Sequence, residues 1–252
     1  MRHDIRDMLT LHSPSGYEVL MVDYVTNCLD KMRVPYDVCH DGTIYAIYPG
    51  RPLLSAHMDT VCERPPELIV NNDMIMGRDC CIGADDKCGV WITLNTLQQR
   101  SDLSFIFSVN EEIGQSLTNL PLTRYANDIC YALVLDRCGK QDLIGRYNGY
   151  NTGDLGRAIQ AITDYHPATG VYSDADILSG QGIPCVNLSV GYYGHHTRQE
   201  YLDKRVMVYS LRRVARILDV LGDRYFQRVS DMSDMSEDYL WDYGGIIRGY
   251  YT

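Results

Sequence analysis

Nowhere in the 252 residues does an apolar run approach the roughly 20 residues needed to cross a bilayer. The opening Met1-Arg2-His3-Asp4-Ile5-Arg6-Asp7 lacks the apolar block of a signal peptide, so a cytoplasmic location and no membrane partner are expected. A basic stripe is also lacking. The formal net charge of -10 argues against a nucleic-acid partner and for a small molecule or peptide. The nine cysteines include no Cys-x-x-Cys pair, and an odd number in a long chain without a secretion signal is expected to remain as reduced thiols. Adjacent Cys80 and Cys81 are poorly spaced to share one tetrahedral metal. Neither a Gly-x-Ser-x-Gly elbow nor a phosphate-cradling glycine loop occurs, which removes two common catalytic and nucleotide-binding signatures. Internal repeats and low-complexity linkers are absent too. Residues 1–252 are therefore read as one domain, ending in an acidic, aromatic segment at 228–252.

What is present suits a sizeable core, with 45% of residues hydrophobic. Short apolar runs alternate with longer amphipathic stretches, the pattern of an α/β domain. Strands are predicted at 43–48, 52–56, 104–109, 131–135 and 184–190, and helices at 16–32, 83–99, 154–164, 175–181 and 203–221.

Polar clusters follow three of these strands, where open α/β sheets gather functional loops. His57 and Asp59 follow Leu53-Leu54-Ser55-Ala56. Extended geometry puts them on one side of the chain, so a ligating imidazole can have a carboxylate beside it; His-x-Asp alone describes a structural histidine just as well. Glu111 and Glu112 follow Phe105-Ile106-Phe107-Ser108-Val109. Adjacent carboxylates repel unless cations or protons compensate them, and one can bind metal while its neighbour moves a proton. A solvated acidic loop is the plainer alternative. Asp136 ends Leu133-Val134-Leu135 and precedes Arg137, which makes it a ligand or half of a local ion pair. Asp85 lies in the glycine-bounded turn Ile82-Gly83-Ala84-Asp85-Asp86 and either bridges metals or caps the following helix. His195 and His196 form an adjacent pair in a chain with seven histidines. Imidazoles and carboxylates in these numbers suit zinc, cobalt or manganese, whereas calcium would want more oxygen.

In order and spacing these segments resemble the co-catalytic dinuclear metallopeptidases of the M20, M28 and M42 clan, in local wording nearest to tripeptidase T and the glutamyl aminopeptidases. The resemblance runs from Ser13-Pro14-Ser15-Gly16-Tyr17-Glu18 through His57-Met58-Asp59-Thr60-Val61, Gly83-Ala84-Asp85-Asp86-Lys87, Glu111-Glu112-Ile113-Gly114, Asp136 and Ser173-Asp174-Ala175 to His196-Thr197-Arg198-Gln199-Glu200. It implies a three-layer α/β/α fold with a mixed central sheet and two divalent metal ions, zinc first, with cobalt or manganese as alternatives. By the same resemblance His57, Asp136 and His196 are terminal ligands, Asp85 bridges, and Glu112 completes the second set. Glu111 becomes the general base, and Asp59 the carboxylate that orients His57. His196 rather than His195 is the ligand because the family pattern has a Glu four residues later, here Glu200. A non-proline cis peptide is implied between Asp85 and Asp86, and Asp174 is a candidate substrate contact. The chain departs from the larger members between Asp136 and Ser173, where there is no room for the lid and dimerisation domain they insert.

The expected activity is hydrolysis of an amide bond in a short peptide, as an aminopeptidase. The same chemistry serves N-acyl amino acid deacylases and carboxypeptidases, in which Arg137, Arg146 or Arg198 would meet the substrate carboxylate. A metal-stabilised binding or scaffold protein without turnover is the reading from another class, and the retained Glu111 speaks against it. No oligomeric state follows from these residues.

Overall fold

Each predicted segment carries the expected element, with ends moved by a few residues. The computed structural model describes residues 4–147, 150–151, 153–170 and 172–227; the acidic, aromatic segment 228–252 lies outside these described residues. In chain order the elements are α1 (Ile5–Leu9), α2 (Val19–Met32), β1 (Asp37–Val38), β2 (Ile44–Ala46), β3 (Arg51–His57), β4 (Leu68–Asn71), β5 (Met74–Gly77), α3 (Ala84–Leu97), β6 (Ser104–Ser108), β7 (Ile129–Arg137), β8 (Asp142–Ile144), β9 (Arg146–Tyr147), β10 (Tyr150–Asn151), α4 (Gly153–Ile162), β11 (His166–Pro167), α5 (Asp174–Gly180), β12 (Cys185–Ser189), β13 (Tyr192–Tyr193), β14 (Tyr201–Asp203) and α6 (Lys204–Leu221).

The main sheet has the order β1-β2-β6-β3-β7-β12-β8-β11. Its centre is parallel, through the pairs β6/β3, β3/β7 and β7/β12, while β2 joins β6 and β8 joins β12 antiparallel. The mixed sheet is therefore as expected. Alternate residues of the central strands feed two cores. Leu54, Ala56, Phe105, Phe107, Leu133 and Leu135 pack with residues of α3 and α6, whereas Leu53, Ile106, Ala132 and Val134 pack with Ala175 and Leu178 of α5. Burial on both faces is why these strands read as continuous apolar runs rather than alternating ones.

Every residue of α3 is buried, so it shows no polar face. It packs against β3 and β7, and Gly89 sets how closely: a Cβ there would stand 2.2 Å from the Leu135 carbonyl oxygen. In α6, Val206, Met207, Val214, Ile217 and Leu218 form the buried stripe, and the Asp203 side chain caps the helix by accepting from the Arg205 amide at 2.9 Å.

The sequence pattern did not predict a second, antiparallel sheet of order β13-β14-β5-β4. Its β4/β5 hairpin turns on Asn72-Asp73, with Asn72 left-handed at φ 52°, a turn signal that was available. The expectation of nine reduced thiols is corrected at one pair. The loop leaving β3 and the turn before α3 run side by side, and Cys62 and Cys81, with Cα atoms 5.7 Å apart, form a disulfide; none of the other seven cysteines is disulfide-bonded. Among the described residues no helix is long and apolar enough to cross a membrane.

Candidate metal and catalytic site

The parallel strands end at one edge of the sheet, and each delivers polar groups there. His57 is the last residue of β3, and Asp136 lies at the end of β7. Beyond β6, Asn110 adopts a left-handed φ of 60°, which Asn tolerates, and the turn it makes returns Glu111 and Glu112 toward β3. Asp85 opens α3, and the peptide bond to Asp86 is cis, as the resemblance implied. His196, between β13 and β14, is itself left-handed at φ 60°, a strained backbone of the kind that concentrates at functional sites.

The five candidate ligands converge around Asp85. Its Oδ1 is 3.4 Å from His57 Nε2, and its Oδ2 is 3.4 Å from His196 Nε2. Asp136 Oδ1 lies 3.6 Å from His57 Nε2, and Glu112 Oε2 lies 2.8 Å from His196 Nε2. Asp85 thus turns one oxygen toward each of two histidine–carboxylate pairs. Buried Asp85 Oδ1 has no hydrogen-bond partner among the described residues, an arrangement that is costly unless a cation takes the oxygen. Two imidazoles and three carboxylates fit a pair of dications in donor type and in charge.

The electrostatics agree. Burial pushes the His57 pKa down, but Asp136, Asp59 and Asp85 outweigh it and hold the ring well above its ordinary value. Hydrogen bonds to Asp85 and Glu112 raise His196 to about 10. Burial raises Glu111 to about 9 against the opposing effect of His57, and burial likewise raises Asp136 to about 7. So many carboxylates in one buried place require positive charge, whether as protons or as dications.

Further side chains fix this arrangement. The Asp59 carboxylate is 3.4 Å from His57 Nδ1, but that nitrogen donates to the Asp59 backbone carbonyl at 3.0 Å. The carboxylate also accepts from the Ser15 hydroxyl at 2.7 Å and from the Glu111 and Glu112 amides at 3.0 and 3.1 Å, pinning the acidic turn. Asn187 exchanges two hydrogen bonds with the Asp136 backbone, and the Tyr192 hydroxyl donates to Asp136 Oδ1 at 3.1 Å. Glu200 accepts from the amides of Ile82, Gly83 and Asp85, so the loop bearing His196 grips the turn bearing Asp85. Asn187 and Tyr192 were not singled out from the sequence; Glu200 was, but only as a spacing mark. Asp174 does not line the cavity between the candidate ligands: it is 2% exposed and accepts from the Ser108 and Ser116 hydroxyls beneath the end of β6. Arg137 does line it, with its guanidinium held by Asp142 at 3.0 Å.

This fold is shared with solved peptidases. Aminopeptidase PepT from Bacillus cereus superposes with a TM-score of 0.68 at 15% identity, over 85% of this chain and 96% of that one. A tripeptidase from Staphylococcus aureus gives 0.69 at 13%, over 86% and 96%, and the Pyrococcus horikoshii TET1 peptidase gives 0.68 at 17%, over 83% and 96%. These likenesses establish the fold. No family model and no curated protein matches the chain.

Proposed function

We propose that this chain is a dinuclear metal-dependent hydrolase that cleaves amide bonds in short peptides, as an aminopeptidase. The observation that carries the reading is Asp85, whose two oxygens face separate histidine–carboxylate pairs. His57 and Asp136 would hold one ion, His196 and Glu112 the other, and Asp85 both. When bound, two dications, zinc or else cobalt or manganese, polarise a scissile carbonyl and make water more acidic. Glu111, with Oε2 3.9 Å from His57 Nε2, stands beside the ligands and takes the proton of the attacking water, then returns it to the leaving amine. The concentration of carboxylates favours a substrate with a free amino group, and the engagement of Arg137 by Asp142 removes one candidate for gripping a carboxylate there. The solved structures of the same fold, named as aminopeptidases and a tripeptidase, support this direction.

The test combines elemental analysis with amino-acid release from short peptides, with and without chelator. Two metals per chain and chelator-sensitive release are expected. Glu111→Gln is expected to keep its metal and lose about 10²- to 10⁴-fold in turnover. Full activity in that variant, or no metal affinity in the parent, would sink the reading.

A further inference from the structure

The catalytic cavity encloses about 70 Å³ among residues that include His57, Asp85, Glu111 and Tyr172. That is room for a few waters or a reacting group, well below the roughly 300–1,000 Å³ of small-ligand sites. The bulk of a peptide has to lie elsewhere. Two larger cavities adjoin the first, each through a single shared residue: one of about 390 Å³ through Tyr172, the other of about 520 Å³ through His196. The walls of the smaller one include Leu117, Leu120, Leu122 and Ile177 and, among the described residues, no charged side chain, so of the two adjoining cavities it is the larger that can meet a charged end of the substrate.

The larger cavity carries two guanidinium groups, those of Arg64 and Arg198. Arg198 is exposed, and among the described residues no carboxylate pairs with it. Among the described residues Arg64 donates only to the carbonyl oxygens of Arg78 and Asp79, at 3.4 and 3.3 Å, beyond the usual range of hydrogen bonding. Neither guanidinium forms an ion pair among the described residues, although Glu63 and Asp79 line the same cavity. The walls are braced, because the disulfide between Cys62 and Cys81 ties the loop of Arg64 to the turn before α3. Arg198 follows His196 by two residues, and the two side by side line this cavity.

We infer that this cavity is the subsite for the C-terminal carboxylate of a short peptide, with Arg198 and Arg64 as the groups that receive it. The inference rests on the peptidase reading above. A guanidinium fork matches a carboxylate in a bidentate pair. Glu63 and Asp79, which also line the cavity, offset part of that positive charge, so the two guanidiniums have none to spare for an acidic side chain and the subsite favours a C-terminal residue with a neutral or basic one. Peptide length is limited because the free end must reach Arg198 while the scissile bond stays at the metals.

The experiment is steady-state kinetics of the metal-loaded full chain on matched tripeptides ending in a free carboxylate or an amide. The amide is expected to raise KM about tenfold with little change in kcat. In Arg198→Ala the amide-to-acid ratio of KM is expected to collapse from about ten to about one, with Arg64→Ala lowering it in part and Arg198→Lys falling between. Equal KM values for acid and amide with the parent protein, or an unchanged ratio in both alanine variants, would overturn the subsite alone. No hydrolysis of any peptide by protein with two metals bound would overturn the peptidase reading and the subsite with it.

Discussion

Asp85 offers its two oxygens to different histidines, so replacing it differs in kind from replacing either histidine. Asp85→Asn is expected to lose both metals by elemental analysis. His196→Ala, which leaves His57, Asp85 and Asp136 together, is expected to retain one; two metals in Asp85→Asn would deny the bridge. Proton balance gives an independent check. At pH 7 His57, held well above its ordinary pKa, His196 at about 10 and Glu111 at about 9 all carry protons, whereas a dication needs neutral imidazole. Zinc added to weakly buffered protein is expected to release about three protons per chain, two from the imidazoles and one from Glu111, and affinity is expected to rise between about pH 7 and 10, because raised groups deprotonate as pH rises. Proton uptake, or affinity falling over that range, would contradict this. The candidate ligands were legible in sequence as ambiguous residues, each with a plain alternative, until their order was taken together. The groups that hold them were not. Asn187 and Tyr192 reach Asp136 from 51 and 56 residues away, and contacts at that separation leave no periodic mark.

Elements buried on both faces announced themselves as apolar runs, which is why β3, β6, β7 and β12 were legible. The short strands β13 and β14, of two and three residues, offered too little pattern to separate from loop. What periodicity could not convey was the closeness of packing. In α3, a Cβ at Gly89 would meet the Leu135 carbonyl at 2.2 Å and both Asp86 carboxylate oxygens at 2.5 and 2.7 Å. Gly89→Ala therefore forces α3 away from β7, separating Asp85 from Asp136, and is expected to cost about 1–3 kcal/mol or more and to weaken metal binding. Gly156 of α4 is the contrast. Among the described residues its Cβ would meet only Leu143, at 3.7 Å, so Gly156→Ala is expected to be neutral or to gain about 0.5–1 kcal/mol from helix propensity. Urea midpoints for the two variants check both statements, and matched midpoints would show that the approach of α3 to β7 does not depend on Gly89.

Across the whole molecule, the candidate ligands span positions 57 to 196 and come together only when the sheet, α3 and the His196 loop have all formed. An unfolded chain holds no such constellation, so metal affinity belongs to the folded state and adds to its stability. At a free metal concentration a hundredfold above Kd the gain is about 2.7 kcal/mol per site. For a chain of this size, where one kcal/mol moves the midpoint by about 2–4 °C, chelation is expected to lower Tm by about 5–10 °C for each site emptied. The disulfide acts through the other state. It closes a short loop between Cys62 and Cys81, so its reduction frees the unfolded chain by about 3 kcal/mol in the chain-entropy account, with or without metal. Scanning calorimetry over the four combinations of chelator and reductant separates the two contributions. Metal is expected to raise Tm in both redox states, and reduction to lower it in both. A Tm that ignores chelator would mean that the ligands bind no ion in the folded chain, and the dinuclear reading would fall with it.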